Sequence, residues 1–511
     1  MFSRSGIENA IESYVLGGGL ETELTDIISS NALRRFNDVS GKPFLRPEGS
    51  DIRLVWAFAA DWFNPYSNKA SGKAVSTGVM AMICLSLPPT LRYLEENIYL
   101  AGVIPGPHEP ALDAANHFIA PLMHDLKASY ERGVYYSRTY EYPSGRKSYS
   151  GVIPVIADTL ASKKVTGNCG HGGKYFCSRC RLPRSEIHNV NPSSWPPGLT
   201  QAEHEAHAET WRTAPNKSKQ ESLVKAHGIR WSALLLLPYW QPSDWSITEG
   251  VHVLLLGVTA RHCRDLLGLN FSTLPLEDDE EPPSTKCMEH ARQVFDKRSP
   301  SLLRKAIPPL QLPTFHVVRV KATSTLGWTS MDTPDQCYPQ YPTPKRPPEE
   351  AAHLPADFGS PGHGKLKADQ WRTALEFDIP VSLIHVLANH KSTGNIAEDA
   401  HLHKIVELTL DLAMALAWGL SRRTSDFHAE RYTFYMQRYL NSIQTLFPEY
   451  NLKPNHHYAL HISDILLLFG PLHGTWAFSL ERLIGRLQNL NTNSKIGKPI
   501  PSYNCHLESF Y

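Results

Sequence analysis

The chain has 511 residues, 41% of them hydrophobic and 20% charged. That balance fits folded domains and excludes wholesale disorder, and at roughly 100–200 residues per domain the length predicts two to four structural units. Lys+Arg (51) and Asp+Glu (50) nearly cancel to a net charge of +1, so there is no global basic field and any nucleic-acid site must be local.

The first residues lack the long apolar run of a secretory leader. The longest apolar stretch, Leu408 to Leu420, is broken by Asp411, so no membrane span is expected. Eight cysteines with one close pair, Cys177 and Cys180, fit a reducing compartment, where such a pair serves metal or redox chemistry.

In chain order, residues 1–50 carry polar, Gly-rich pieces and a short helical stretch, without a core of their own. Strand-like apolar runs follow at Ile52–Ala60, Val79–Leu87 and Asn97–Ile104. Helical spacing over Pro110–Glu131 places Ala111, Ala115, Phe118, Ile119 and Leu122 on one side. Val134–Tyr140 and Ser148–Ala157 read as a hairpin around Pro143-Ser144-Gly145. This order predicts an α/β layout. Beyond it, residues 200–228, Val251–Leu267, His401–Leu420 and Phe427–Phe447 read as helices. The acidic run Glu277–Glu281 reads as a linker, and the proline-dense stretch 332–362 as an extended excursion.

Asp61 and Asp158 each directly follow a strand-like run. If those strands are parallel neighbours, both carboxylates emerge at one sheet edge, where ligands of open α/β sheets bind. Two close carboxylates call for a proton or an oxygen-loving cation such as Mg²⁺; the alternative is that each is a turn residue. Cys177-Ser178-Arg179-Cys180 has the spacing of half a zinc site, with Cys169, His171 and His188 as local candidates for completing it. Residues 163–184 hold Lys163, Lys164, Lys174, Arg179, Arg181 and Arg184 and no acid, a loop that either contacts phosphate or is simply solvated. His457 and His461 have the i, i+4 spacing of paired zinc ligands, but without the intervening Glu of a metalloprotease they read as core or hydrogen-bonding histidines. No Gly-x-Ser-x-Gly elbow or P-loop occurs.

The segments DWFNPYSNKASGK (61–73), NIYLAGVIPGPHEPALDAANHFIAPL (97–122), GVYYSRTYEYPSGR (133–146), HGIRWSALLLLPYW (227–240), HGKLKADQWR (363–372), HAERY (428–432), LKPNHHYALH (452–461) and FGPLHGTWAFSLERLIGRLQNLNTN (469–493) resemble transposases of fungal CACTA (En/Spm-type) DNA transposons. The resemblance runs from about residue 50 to about residue 498. It implies an α/β fold with a ribonuclease-H-like mixed sheet core, interrupted by a large, mostly helical insertion carrying a zinc site. The implied divisions are a short N-terminal remnant (1–50), the first part of the core (51–168), the zinc-binding and helical insertion (169–455), the return to the core with the third acid (456–498) and a tail (499–511).

The resemblance further implies a DDE-type DNA strand cleavage and transfer activity, with Asp61, Asp158 and Glu481 holding two Mg²⁺ or Mn²⁺ ions. It pairs Cys177 and Cys180 with a later Asp-x-x-His, which here is Glu249-Gly250-Val251-His252, so the implied structural zinc ligands are Cys177, Cys180, His252 and Glu249. The implied partners are transposon-end and target DNA and further copies of the chain, acting in the nucleus. Trp62 stands where the family usually has Gly, and Ala157-Asp158-Thr159 replaces Cys-Asp-Leu. These departures, with the short flanks of the matched region, suggest a truncated or decayed copy and keep a second reading, a non-catalytic zinc- and DNA-binding derivative.

Overall fold

The computed structural model describes residues 1–17, 23–46, 48–65, 75–269, 366–388 and 396–488. The acidic run 277–281, the proline-dense stretch 332–362 and the tail 499–511 lie outside the described residues.

Five strands form one mixed sheet: β1 (Ile52–Phe63), β2 (Thr77–Cys84), β3 (Ile98–Ile104), β4 (Val134–Tyr136) and β5 (Arg146–Ile156), in the order β3-β2-β1-β5-β4. β1 and β5 are parallel and the other pairs antiparallel. β1 is central and nearly continuously apolar, as a strand covered on both faces must be. The helical spacing noted in the sequence becomes the crossover helix between β3 and β4, and the β4–β5 hairpin turns near Gly145, whose φ is +85°.

The helices include α1 (Ile7–Gly17), α2 (Asn116–Arg132), α3 (Thr159–Thr166), α4 (Gln201–Arg212), α5 (Lys217–His227), α6 (Val251–Thr259, wound as a π-helix), α7 (Ile396–Gly419), α8 (Asp426–Leu446), α9 (Pro454–Leu460), α10 (Ile462–Phe469) and α11 (Phe478–Gln488). α4 opens on a reciprocal capping box between Thr200 and Glu203. α7 and α8 are the long pair expected from periodicity. Asp411, the break in the apolar run, is buried in α7 and pairs with Arg438 of α8 at 2.6 Å. Among the described residues, no helix is long and apolar enough to cross a membrane.

The N-terminal segment completes the core of the sheet. Ile7 and Ile11 pack with Ile52, Leu54, Cys84 and Leu87, while Phe36 and Phe44 enter the main core. Two buried arginines fasten it. Arg146 meets Glu8 at 3.0 Å and Glu12 at 2.6 Å. Arg92 donates to both Asp26 oxygens (2.8 and 2.6 Å) and to the Leu85 and Leu87 carbonyls; the Tyr14 hydroxyl adds a third bond to Asp26 at 2.6 Å. Removing one partner leaves an uncompensated buried charge. Asp26→Ala is therefore expected to lower unfolding free energy by about 3–5 kcal/mol, measured by denaturant unfolding; a change under about 1 kcal/mol would show that the N-terminal segment is not held by this pair.

Candidate active site and metal centre

The acids converge because of strand register. The last paired residues of β1 and β5 are Ala59 and Ile156. Asp61 and Asp158 lie two positions beyond on each strand path, so both leave the sheet at the same level. Asp61 is inside β1, which runs on to Phe63 and pairs Asp61 with Val79. Asp158 caps α3, accepting the Ala161 amide at 2.6 Å.

Side chains alternate along a strand, so Ala59, Asp61 and Phe63 share a face. That face is covered by α11: Leu480, Leu483, Ile484 and Leu487 pack on Ala59, Phe63, Val79, Ala81 and Leu100. Glu481 sits beside this apolar stripe, its side chain 43% exposed, and is carried over the face that holds Asp61. Arg486, also on α11, pairs with Glu95, while Arg482 is exposed.

The electrostatics agree with the placement. Burial and then the neighbouring Asp158 charge push the Asp61 carboxyl up to about 7, with Glu481 adding to the shift and the Trp62 amide and His252 opposing it. Glu481 is raised by burial, opposed by His252, with Glu249, Asp369 and Asp158 acting upward. Like charges gathered this way attract a cation or a proton.

Glu249 and His252, which the family pattern paired with the cysteines, lie in this acid cluster. Glu249 is fully buried. Its Oε2 accepts the His252 amide at 2.7 Å and faces the ring Nδ1 at 2.8 Å, while its Oε1 accepts the Ala477 amide at 3.3 Å. It thus ties the start of α6 to the turn into α11. His252 Nε2 lies 3.8 Å from Glu481 Oε1. Burial would lower the imidazole, but the Glu249 bond and charge, with Asp158 and Glu481, raise it to about 9.

The cysteine pair has other partners. Cys177, Cys180, His457 and His461 are all buried, and their potential ligand atoms lie within 4.8 Å of one another, the one such cluster among the described residues. Cys180 Sγ is 3.3 Å from His457 Nε2. His461 Nδ1 is 2.8 Å from Asp464 Oδ2, leaving Nε2 buried without a hydrogen-bond partner. Burial alone would raise the Cys177 thiol, yet Cys180, His461 and His457 together hold it well below the usual thiol range. Trp195 and Phe176 wall the cluster, 4.3 and 4.8 Å from the His457 ring. The histidines come from α9 and its junction with α10, which α6 approaches closely at Gly257, where a Cβ would fall 2.4 Å from Asn455 Nδ2. The i, i+4 spacing of His457 and His461 was the sequence signal; the cysteines it belongs with are visible only in the fold. Cys169, His171 and His188 stand outside the cluster. Cys169 donates to the Tyr175 carbonyl, His171 meets the Tyr458 hydroxyl, and the His188 carbonyl accepts from Gln444.

The basic loop is largely engaged in the fold. Lys163 is buried, with Nζ bonded to the Phe176 carbonyl and the Tyr458 hydroxyl; burial lowers it to about 8. Lys164 is buried against Trp62 and paired with Glu109 at 2.9 Å. Arg179 donates to the Ser243 and Asp244 carbonyls, Arg181 to that of His227 and Arg184 to that of His171. Lys174 alone of the six is exposed.

Residues 23–195 match the family model described as Transposase family tnp2. The matched region holds the five strands, Asp61, Asp158, Cys177 and Cys180, and the match supports a transposase family for this chain. No curated protein matches the chain.

Proposed function

We propose that the protein is a DDE-type transposase of the CACTA (En/Spm) kind, of fungal type, built on a ribonuclease-H-like core and acting on DNA in the nucleus. The observation that supports this reading is that Asp61 and Asp158 leave two parallel strands at the same level, with the helix bearing Glu481 packed over the Asp61 face, within a chain whose strand region matches a transposase family. A divalent cation is the counter-charge these acids call for, because burial and the neighbouring acid charges raise Asp61 and Glu481, although their ligand atoms are not gathered as closely as those of the Cys/His cluster. Mg²⁺ or Mn²⁺ held there supplies Lewis-acid stabilisation of the charge that develops when water attacks a DNA phosphate.

The chain's own contribution is placement. The sheet fixes the two aspartates, and α11 presents Glu481 at an open, partly exposed edge that a DNA strand can reach. The freed 3′-hydroxyl then attacks target DNA, with no covalent protein–DNA intermediate. Joining two transposon ends calls for more than one copy of the chain.

Cys177, Cys180, His457 and His461 fit a structural zinc ion, with the two-sulfur, two-nitrogen donor set of a closed tetrahedral site. The orphaned His461 Nε2, on a ring oriented by Asp464, is the donor such a site requires.

The test is nicking of supercoiled plasmid by the full chain in Mg²⁺ or Mn²⁺. Cleavage that falls by roughly 10²–10³-fold or more in Asp158→Asn supports the reading. DNA binding without metal-dependent nicking would replace it with the non-catalytic derivative.

A further inference from the structure

We infer that Glu249 is a positioning residue for Glu481: one buried carboxylate caps two helices, α6 and α11, and so fixes where the third acid stands. The functional part of this rests on the proposed reading of Asp61, Asp158 and Glu481 as the acids of a nuclease site.

Both helices begin on residues that cannot cap them. Gly250 precedes α6 and Ala477 precedes α11, and neither has a side chain that accepts a hydrogen bond. The first amides of a helix need an acceptor, and negative charge is favourable there. Glu249 serves both ends. Its Oε2 accepts the His252 amide at 2.7 Å and its Oε1 accepts the Ala477 amide at 3.3 Å. The carboxylate is fully buried, so water does not compete for these bonds.

The path from there to Glu481 is short. The Ala477 carbonyl accepts the Glu481 amide at 3.0 Å, so a single residue links the Glu249 carboxylate to the Glu481 backbone. A second path runs through the ring of His252. Glu249 Oε2 faces its Nδ1 at 2.8 Å, and its Nε2 lies 3.8 Å from Glu481 Oε1. The two helix starts are also in close contact. A Cβ at Gly250 would fall 2.7 Å from Leu472 Cδ1, in the turn that leads into α11. The apolar stripe of α11 selects the face that meets the sheet. Apolar contact is non-directional, and the directional bonds at the entry to α11 set its place on that face.

The experiment compares the zinc-replete full chain with Glu249→Ala and Glu249→Gln. Amide hydrogen exchange is read along α11, and single-turnover plasmid nicking at saturating DNA. In Glu249→Ala, exchange in the first turn of α11 should rise about tenfold or more, with α7 and α8 unchanged. Nicking should slow by roughly 10²-fold with DNA affinity unaltered, as expected of a displaced catalytic group. Glu249→Gln keeps one oxygen for the Ala477 amide and should fall between Ala and the wild type in both readouts. A purely structural role would lower stability without separating rate from affinity in this way. Unchanged exchange in α11 overturns the assignment, and so does a loosened α11 that nicks at the wild-type rate. If Glu249→Ala fails to fold by circular dichroism, Glu249→Gln decides: wild-type values of both readouts overturn the assignment. Failure of the underlying reading looks different. Nicking would then be absent from the wild type or indifferent to Asp158→Asn, and the exchange readout would still decide whether Glu249 holds α11.

Discussion

Without divalent cations, Asp61→Asn is expected to be more stable than the wild type at pH 8 while cleaving no DNA. The Asp61 carboxyl is held at about 7, by burial first and then by Asp158, against an ordinary value of 3.8. An acid whose value is raised in the folded state contributes stability that is fully present below its unfolded value and disappears as the pH rises through the folded one. The metal-free wild type should therefore lose stability from about pH 4 to about pH 7, by on the order of 4 kcal/mol for this group. Asn keeps the shape and can still accept the Trp62 amide, the 2.7 Å bond that Asp61 Oδ1 now accepts, but it carries no charge. The variant should lack this component of the fall across that window.

Mn²⁺ should reverse the ranking. The cation removes the repulsion in the wild type and stabilises it by mass action, while the variant has lost a ligand. Thermal unfolding of both proteins at pH 4–8, with and without Mn²⁺, measures this. A wild type whose stability does not fall with pH, and does not respond to Mn²⁺, would sink the cation-site reading of Asp61.

The second large effect concerns the Cys/His cluster. The protein as purified should contain about one zinc ion per chain by metal analysis, and a strong chelator should cause loss of tertiary structure. Structural zinc supplies folding free energy directly. Here it would join the loop after α3 to the α9–α10 junction, two parts of the chain far apart in sequence. Cys180→Ser or His461→Ala should cost roughly 3–5 kcal/mol or more, because either loses a ligand and leaves buried polar partners behind. Asp464→Asn should fold but hold zinc roughly 10–100-fold more weakly, since it only orients His461. Zinc-free protein with unchanged unfolding after chelation would instead make the four residues a hydrogen-bonded core cluster.

Much of the local structure was legible in the residues. Alternation and apolar runs reported the strands near Ile52, Val79, Ile98 and Ser148, and helical spacing reported α2, α7 and α8, because those patterns arise from geometry within one continuous segment. The Asp61 and Asp158 placements were legible conditionally. Each follows an apolar run, but their meeting depended on β1 and β5 being parallel and in register.

Which histidines partner which acids or thiols was not legible. Glu249-x-x-His252 and His457-x-x-x-His461 both have metal-ligand spacing, and nothing local says which pair meets Cys177 and Cys180. The fold gives the cysteines His457 and His461, and carries Glu249 and His252 to the sheet edge beside Glu481. Charge composition was equally mute about the basic loop, since a lysine that bonds the Phe176 carbonyl inside the core has the same sequence signature as one that waits for phosphate. The sequence by itself thus determined the elements, the acids at the strand ends and the half-site of the CxxC. The tertiary structure decided the company each functional residue keeps, because a cation site is a convergence of atoms from segments hundreds of residues apart, and spacing along the chain carries no information about that distance.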